Sequence, residues 1–242
     1  MILVRVIGAG RAGRSFAKAI DDLDDWDVLE LRGRGVPIED AAHDVDLVLI
    51  ATPDGAIDDV AGAIEPGRAV VAHVAGSLGL DVLAPHTRRA ALHPLMSLPD
   101  PQIGAERLLG GWFAVAGDPI VVDLVAALGG RTFAIDDEDR ALYHAAAAVA
   151  SNHLVALLGH AERIGAAAGV PPEALMSLAL GSAENAASLG PAAALTGPAA
   201  RGDEATLAAH QDAIGRRAPR ELAAYEAMLA EARRLAAMDA ER

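Results

Sequence analysis

Through the first 135 residues short apolar runs alternate with stretches of helical length, and after that point the alternation stops. The apolar runs Ile2 to Ile7, Val28 to Leu31, Leu47 to Ala51, Ala69 to His73, Ala90 to Leu92, Phe113 to Ala116 and Thr132 to Ile135 read as strands. Between them, Arg11 to Ile20, Gly55 to Ile64, Leu78 to Leu83 and Pro119 to Leu128 read as helices. Strand and helix in strict turn predict an α/β, doubly wound parallel sheet with helices on both faces. From Asp136 onward the chain is rich in Ala, Leu, Glu and Arg at helical spacing, without strand-like runs. The acidic run Asp136 to Asp139 favours a helix start there, extending to about Gly169. Pro171-Pro172 opens another helix, the Gly190-Pro191 and Gly197-Pro198 pairs mark loops, and Asp203 is placed to cap a helix through Arg216. A last helix runs from Pro219 to about Met238. The expected division is residues 1–135 as a nucleotide-binding domain and 136–242 as a smaller all-helical domain.

Composition narrows the chemistry. Hydrophobic residues make up 52% of the chain, enough for a sizeable core, yet aromatics are only 3%. The net charge of −14 argues against a nucleic acid or an anionic membrane as partner, since either would need a basic face. There is no cysteine, which excludes disulfides, thiolate metal sites and thiol nucleophiles. Calcium-loop, HExxH, P-loop and GxSxG patterns are missing too, so no metal is expected. The apolar stretch Ala145 to Gly159 is interrupted by Ser151, Asn152 and His153 and reads as too short and polar to cross a bilayer. The N-terminus enters a strand directly, without an export signal, so the expectation is a cytoplasmic protein.

The strongest local signal is Gly8-Ala9-Gly10-Arg11-Ala12-Gly13, which follows the first strand and opens the first helix. In that context Gly8 serves the tight turn, Gly10 the close approach of a pyrophosphate and Gly13 the packing of helix on strand. The helix N-terminus then faces the phosphates. Where an NAD site carries an acidic residue at the end of the second strand, this chain has Arg32, with Arg34 two residues on. A guanidinium fork suits a 2′-phosphate, so the pair predicts NADP(H); the alternative is that both are solvated turn residues and Glu30 meets a ribose.

This outline resembles the 6-phosphogluconate dehydrogenase-like superfamily, in which a Rossmann domain precedes a helical domain that often dimerises. More narrowly, Gly8 to Gly13, Ala51-Thr52-Pro53-Asp54, His93-Pro94, Tyr143-His144-Ala145-Ala146, Ala150-Ser151-Asn152-His153, Thr196-Gly197-Pro198 and Arg201-Gly202-Asp203 are similar to words of a bacterial family. That family pairs a Rossmann-like domain with a C-terminal helical domain of unknown function, and some members are regarded as an alternative ketopantoate reductase of pantothenate synthesis. The resemblance implies that Thr52 and Pro53 pass the nicotinamide ribose. It also implies a homodimer through the helical domain, and leaves open whether sites are shared between subunits.

Hydride transfer to a carbonyl asks the protein for position, a partner for the substrate's anionic end and a proton for the developing alkoxide. Loops at the carboxyl ends of parallel strands are where such groups gather. Ser77 and His93 stand there as substrate-binding candidates, with helix capping and a surface histidine as the plainer readings. On a regular helix His144 and Ser151 fall within about 20° of one another, with Asn152 about 80° from His144. One helical face would then carry an acid, a hydroxyl and a carboxamide, while His153 and His160 face away as packing or surface residues. β-Hydroxyacid dehydrogenases and ordinary ketopantoate reductases place a lysine one turn before an asparagine; by resemblance that position is Ala148 here. The single lysine of the chain, Lys18, lies in the first predicted helix. Catalysis by a lysine acid is therefore excluded, and the proton falls to His144, with Ser151 and Asn152 orienting the carbonyl. Arg201 is a candidate clamp for a substrate carboxylate and Asp203 a cap or hydroxyl partner, with His210 a weaker candidate. The expectation is an NADPH-dependent reductase of a small 2-oxo acid, ketopantoate being the specific case. Alternatives are an imine reductase of pyrroline-carboxylate type, a prephenate-type dehydrogenase, or an NADP(H)-binding sensor or pathway-organising subunit without turnover.

Overall fold

The computed structural model describes residues 1–240. All seven apolar runs form strands: β1 Ile2–Ile7, β2 Trp26–Arg32, β3 Leu47–Ile50, β4 Val70–His73, β5 Arg89–Pro94, β6 Trp112–Gly117 and β7 Arg131–Ala134. They join one sheet in the order β2-β1-β3-β4-β5-β6-β7. The chain leaves β1 for β2 on one side and returns across it to β3 on the other, so the order reverses between β1 and β3. In sheets of this kind ligands bind outside the strands' carboxyl ends at that reversal.

The sheet is parallel except at one junction. β5 and β6 run antiparallel, with Pro94 opposite Phe113 and His93 opposite Ala114, where the sequence pattern predicted parallel strands throughout. The reason lies in the connection. The chain leaves the end of β5, forms a helix α3 Pro101–Leu108 and re-enters the sheet beside the point it left. That helix was not foreseen, because Pro99 and Pro101 read as loop residues. Asp100 starts it: its carboxylate accepts from the amides of Gln102 and Ile103 at 2.9 and 3.0 Å, and Pro101 occupies the first turn, where no amide is needed.

Successive residues of a strand face opposite sides, and β3 shows the consequence. Leu47 and Leu49 join a core with Val4, Val6, Phe16 and Leu92, whereas Val48 and Ile50 join a second core with Ile57, Ile64 and Leu83. The helices α1 Arg11–Asp21, α2 Ile57–Ala63 and α4 Ile120–Ala127 complete the covering layers. The predicted helix over Leu78 to Leu83 is a short 3-10 turn, Leu80–Leu83.

The first compact unit runs from Met1 to Ser151 and the second begins at Asn152, later than the junction near Ile135 read from the sequence. Helix α5 Arg140–Ala148 therefore belongs to the sheet-bearing unit, held there by Tyr143 and Phe133, whose rings meet edge to face at 5.7 Å. The division falls within a π-helical turn, Val149–His153, where the sequence reading had a regular helix. The helical run Asp137–Ala168 has an 18-residue window of mean hydropathy 1.3 and meets the length and composition of a membrane crossing, which the shorter stretch Ala145 to Gly159 did not.

In the second unit α6 Leu154–Ala168, α7 Pro172–Leu189, α8 Pro191–Ala194, α9 Pro198–Arg201, α10 Glu204–Arg217 and α11 Leu222–Ala240 follow one another. The Gly-Pro pairs each start a single helical turn, α8 and α9, instead of plain loops. Asp203 caps α10 as expected, accepting from the Thr206 amide at 3.1 Å. Polar ties bind the unit. His160 Nδ1 lies 2.7 Å from the Glu221 carboxylate, which also accepts two N–H bonds from Arg163 at 2.9 and 3.0 Å. His160 is thus a buried structural residue. Much apolar surface stays uncovered, with Leu178 67% and Leu180 60% exposed.

Candidate active site

Two of the tasks the glycine pattern assigns, the tight turn and the close packing of helix on strand, are visible in the structure. Gly8 has φ +112°, and a Cβ there would stand 2.6 Å from the Ala51 carbonyl oxygen. A Cβ on Gly13 would meet the Gly8 carbonyl oxygen at 1.8 Å, so helix α1 reaches its strand only with glycine there. A Cβ built on Gly10 would meet nothing within 4 Å, so that side of the backbone is open to a ligand. Gly8 and Gly10 border a cavity of about 540 Å³ lined also by Ala9, Arg32, Arg34, Thr52 and Pro53. That volume falls within the range of small-molecule sites. Arg11 is exposed at the start of α1, with Ala12 half-buried beside it. The Thr52 hydroxyl oxygen is buried and has no hydrogen-bond partner among the described residues. A cradle that tolerates no Cβ, an open glycine and an orphaned hydroxyl fit a dinucleotide.

The two arginines part company. Arg32 is only 7% exposed, and its fork is already filled: Nε donates to Glu30 at 2.7 Å and Nη1 to Asp40 at 2.5 Å. Asp40 holds its guanidinium pKa above the ordinary value, and Arg32 in return lowers the Asp40 carboxyl. Arg32 thus pins the segment after β2 instead of standing free for a phosphate, which corrects its expected role. Arg34 is exposed on the same cavity and is the guanidinium left to meet an anion.

Beyond the cavity wall the carboxyl ends of β3, β4 and β5 converge. Asp54, next to Pro53, accepts a hydrogen bond from the Ser77 hydroxyl at 3.0 Å. Neither residue caps a helix, which was the plainer reading of Ser77. The loop carrying Ser77 hangs on His73, which is fully buried at the end of β4. The Ala75 amide donates to His73 Nδ1 at 3.2 Å. Since an amide can only donate, the ring proton sits on Nε2, which is 3.2 Å from the Gly79 carbonyl oxygen. Burial lowers the His73 pKa and keeps the ring neutral.

Over this loop stands a cluster the sequence only half revealed. His93, half-buried at the end of β5, has Nδ1 2.5 Å from the Tyr143 hydroxyl of α5. His144, the next residue of α5, has its ring 6.0 Å from that of His93. Gly76 forms the floor: a Cβ there would be 2.8 Å from His144 Nδ1 and equally close to His93 Cε1 and Nε2. Burial, then the neighbouring His144, push the His93 pKa down to about 4. Burial pushes the Tyr143 phenol up to about 12.

Sequence reasoning missed Tyr143, His73 and Arg140. Arg140, 2% exposed, donates from Nε to Asp137 at 2.6 Å, while its buried Nη2 has no hydrogen-bond partner among the described residues. Nothing in the acidic run before it marks Arg140 as buried, but Tyr143 adjoins His144 and sat in plain view. Ser151 and Asn152 lie in the π-helical turn, so the regular projection that aligned them with His144 does not apply. Ser151 donates to the Ala147 carbonyl at 2.9 Å. Arg201 is exposed at the end of α9, and Asp203, as the α10 cap, also accepts from the Thr206 hydroxyl at 2.7 Å. His210 Nδ1 pairs with the Tyr225 hydroxyl at 2.9 Å.

Residues 32–99 match a Rossmann-like domain model, and residues 114–232 match a domain of unknown function, DUF2520. Comparison with curated protein sequences finds no match. Among solved structures the fold is similar to protein TM1727 from Thermotoga maritima, at 24% identity and a TM-score of 0.74 over 98% of this chain and 99% of that one. A Bacteroides fragilis protein described as an NADP oxidoreductase is 20% identical, with a TM-score of 0.78 over 96% and 98%. 1-Pyrroline-5-carboxylate reductase from Streptococcus pyogenes is 15% identical, with a TM-score of 0.64 over 96% and 98%. The chain thus joins a segment matching a Rossmann-like domain, with the glycine turn ahead of it, to a helical segment matching a DUF2520 domain.

Proposed function

We propose that this protein is an NADP(H)-dependent oxidoreductase that reduces a carbon–oxygen or carbon–nitrogen double bond in a small substrate. The observation that carries this reading is the adjacency, within one compact unit, of a dinucleotide cradle and an imidazole–phenol cluster. Pro53 borders the cradle, Asp54 follows it and holds Ser77, and Gly76 beside Ser77 lies beneath His93 and His144. The turn Gly8 to Gly13 and helix α1 would hold the pyrophosphate, Thr52 and Pro53 would flank the nicotinamide ribose, and Arg34 would meet the 2′-phosphate. NADPH supplies a hydride there. The cluster of His144, His93 and Tyr143 supplies the proton.

The leading substrate is a small 2-oxo acid, ketopantoate in particular, with Ser77 at its carboxylate. A cyclic imine is the second reading, favoured by the likeness of fold to a pyrroline-carboxylate reductase. The uncovered apolar faces of the second unit support a cytoplasmic homodimer over a membrane anchor, because the long helical run carries Ser151, Asn152 and His153 at its middle.

The test is decay of NADPH absorbance with panels of 2-oxo acids, ketopantoate among them, and cyclic imines. Turnover of at least one compound is expected, and His144→Gln should lower kcat by about 10². Tight NADPH binding with no decay across both panels would replace the reading with that of a cofactor sensor.

A further inference from the structure

We propose that Tyr143 and His93 form a two-step proton wire ending on the substrate oxygen, so that the site is built for a carbonyl and not for a preformed iminium. The inference rests on the reductase reading above and names its substrate class.

The wire begins with the direction of one hydrogen bond. Tyr143 Oη and His93 Nδ1 are 2.5 Å apart, with the rings edge to face at 85°. A phenol is a strong donor and a neutral imidazole nitrogen a strong acceptor, so the phenol donates. Among the described residues the Tyr143 hydroxyl makes no other hydrogen bond. The His93 ring proton then belongs on Nε2, the nitrogen that overlooks Gly76 together with His144 Nδ1. No hydrogen bond is made by Nε2 among the described residues. Two ring nitrogens converge over backbone without a side chain, and a small oxygen atom with lone pairs fits between them.

The charges around His93 explain why a relay is needed. The groups that face it are Tyr143, His144 and Arg140 of α5, His73 of β4 and Asp54 after β3. Burial and the neighbouring imidazoles outweigh Asp54, and with a pKa of about 4 His93 is neutral at physiological pH. It holds no spare proton to give away. It can pass one on, losing it from Nε2 while gaining another at Nδ1.

In the step itself a bound reduced nicotinamide would supply the hydride with its electron pair to the carbonyl carbon, the π pair moving to oxygen. The Nε2–H bond breaks as the new O–H bond forms. The Nδ1 lone pair takes the Tyr143 proton, so His93 ends as its other neutral tautomer and Tyr143 as a phenolate that regains a proton from water. The buried Arg140 guanidinium favours that transient anion, acting on Tyr143 against the effect of burial. The alkoxide is more basic than the phenol, so the transfer runs downhill. An iminium needs none of this, because hydride addition alone yields a neutral amine.

Two measurements test the wire. In histidine-¹⁵N-labelled protein without cofactor, NMR should show His93 as the Nε2–H tautomer, still neutral at about pH 5. Its signals are assigned by their loss in His93→Asn. In turnover, 2-oxo acids should outpace cyclic imines, and rates in H₂O/D₂O mixtures should curve as two protons move together. Tyr143→Phe should cut kcat by about 10² with KM within about twofold, and make that dependence linear. An Nδ1–H tautomer of His93, or Tyr143→Phe turnover within about twofold of wild type, would overturn the wire. Faster reduction of cyclic imines than of any 2-oxo acid would overturn the substrate class. If no compound consumes NADPH the reductase reading itself fails, and the tautomer still decides for or against the pairing.

Discussion

Arg32 and Arg34 are two residues apart, carry the same charge and do different work. Arg32 is buried with its fork on Glu30 and Asp40, so its removal loosens the segment after β2. Arg34 is exposed on the cavity, and only it can reach an incoming phosphate without breaking a bond already made. Arg34→Ser should therefore weaken NADPH binding by about tenfold or more, from the loss of a charge-assisted bond, and leave NADH binding nearly unchanged. Arg32→Ala should instead lower stability by about 1–3 kcal/mol and weaken both cofactors alike. Fluorescence titration with each cofactor, beside urea denaturation, separates the two. A loss of NADPH preference in the Arg32 variant alone would reverse the assignment. Gly76 gives a second test at this scale. A methyl there would stand 2.8 Å from both imidazoles, closer than real Cβ contacts allow, so the rings must move apart. Gly76→Ala should depress kcat by about tenfold or more while far-UV circular dichroism stays native. Unchanged kcat would show that the rings need not converge.

At the scale of elements, β1, β3 and β4 were the most legible strands, because each is a run of β-branched or aliphatic residues buried on both faces for most of its length. Direction was not legible in the same way. That β6 runs against β5 depends on where the chain re-enters the sheet after α3, and pairing of distant strands leaves no mark on local periodicity. Helix α3 carried its signal in Asp100 and Pro101, a cap and a first-turn proline, but the flanking prolines obscured it. The π-helical turn at Val149–His153 has no propensity signature at all, and it alone undid the alignment of His144 with Ser151 and Asn152. The site followed the same division. The glycine turn, Thr52, Ser77 and His93 sat at element ends the pattern located, and His144 lay within the helix it predicted. Tyr143 and Arg140 required knowing that the first turns of α5 pack on the sheet, which is tertiary information.

For the whole molecule, two compact units with different ionisable cores imply two different responses to acid. In the first unit His73 and His93 are held neutral by burial, His93 at about 4 against an ordinary value of 6.5. The unfolded chain binds those protons more readily than the folded one. Their contribution to stability is therefore complete above about pH 6.5 and falls with acid, that of His93 by up to about 1.4 kcal/mol per pH unit down to about 4. In the second unit Glu221 is held at about 2, first by Arg163 and then by His160, against an ordinary 4.5. Its contribution is present above about pH 4.5 and is lost only as pH falls toward 2. Both tryptophans, Trp26 and Trp112, lie in the first unit, so tryptophan fluorescence follows that unit while far-UV circular dichroism follows the helices of both. Multi-unit chains need not unfold in one step. Urea titrations at pH 7 and 5 should show the fluorescence midpoint falling with acid while the later part of the dichroism transition moves less. A fluorescence midpoint that stays level between those values would mean that His73 and His93 are not held neutral. Probes coinciding at both pH values would mean that the two units unfold as one.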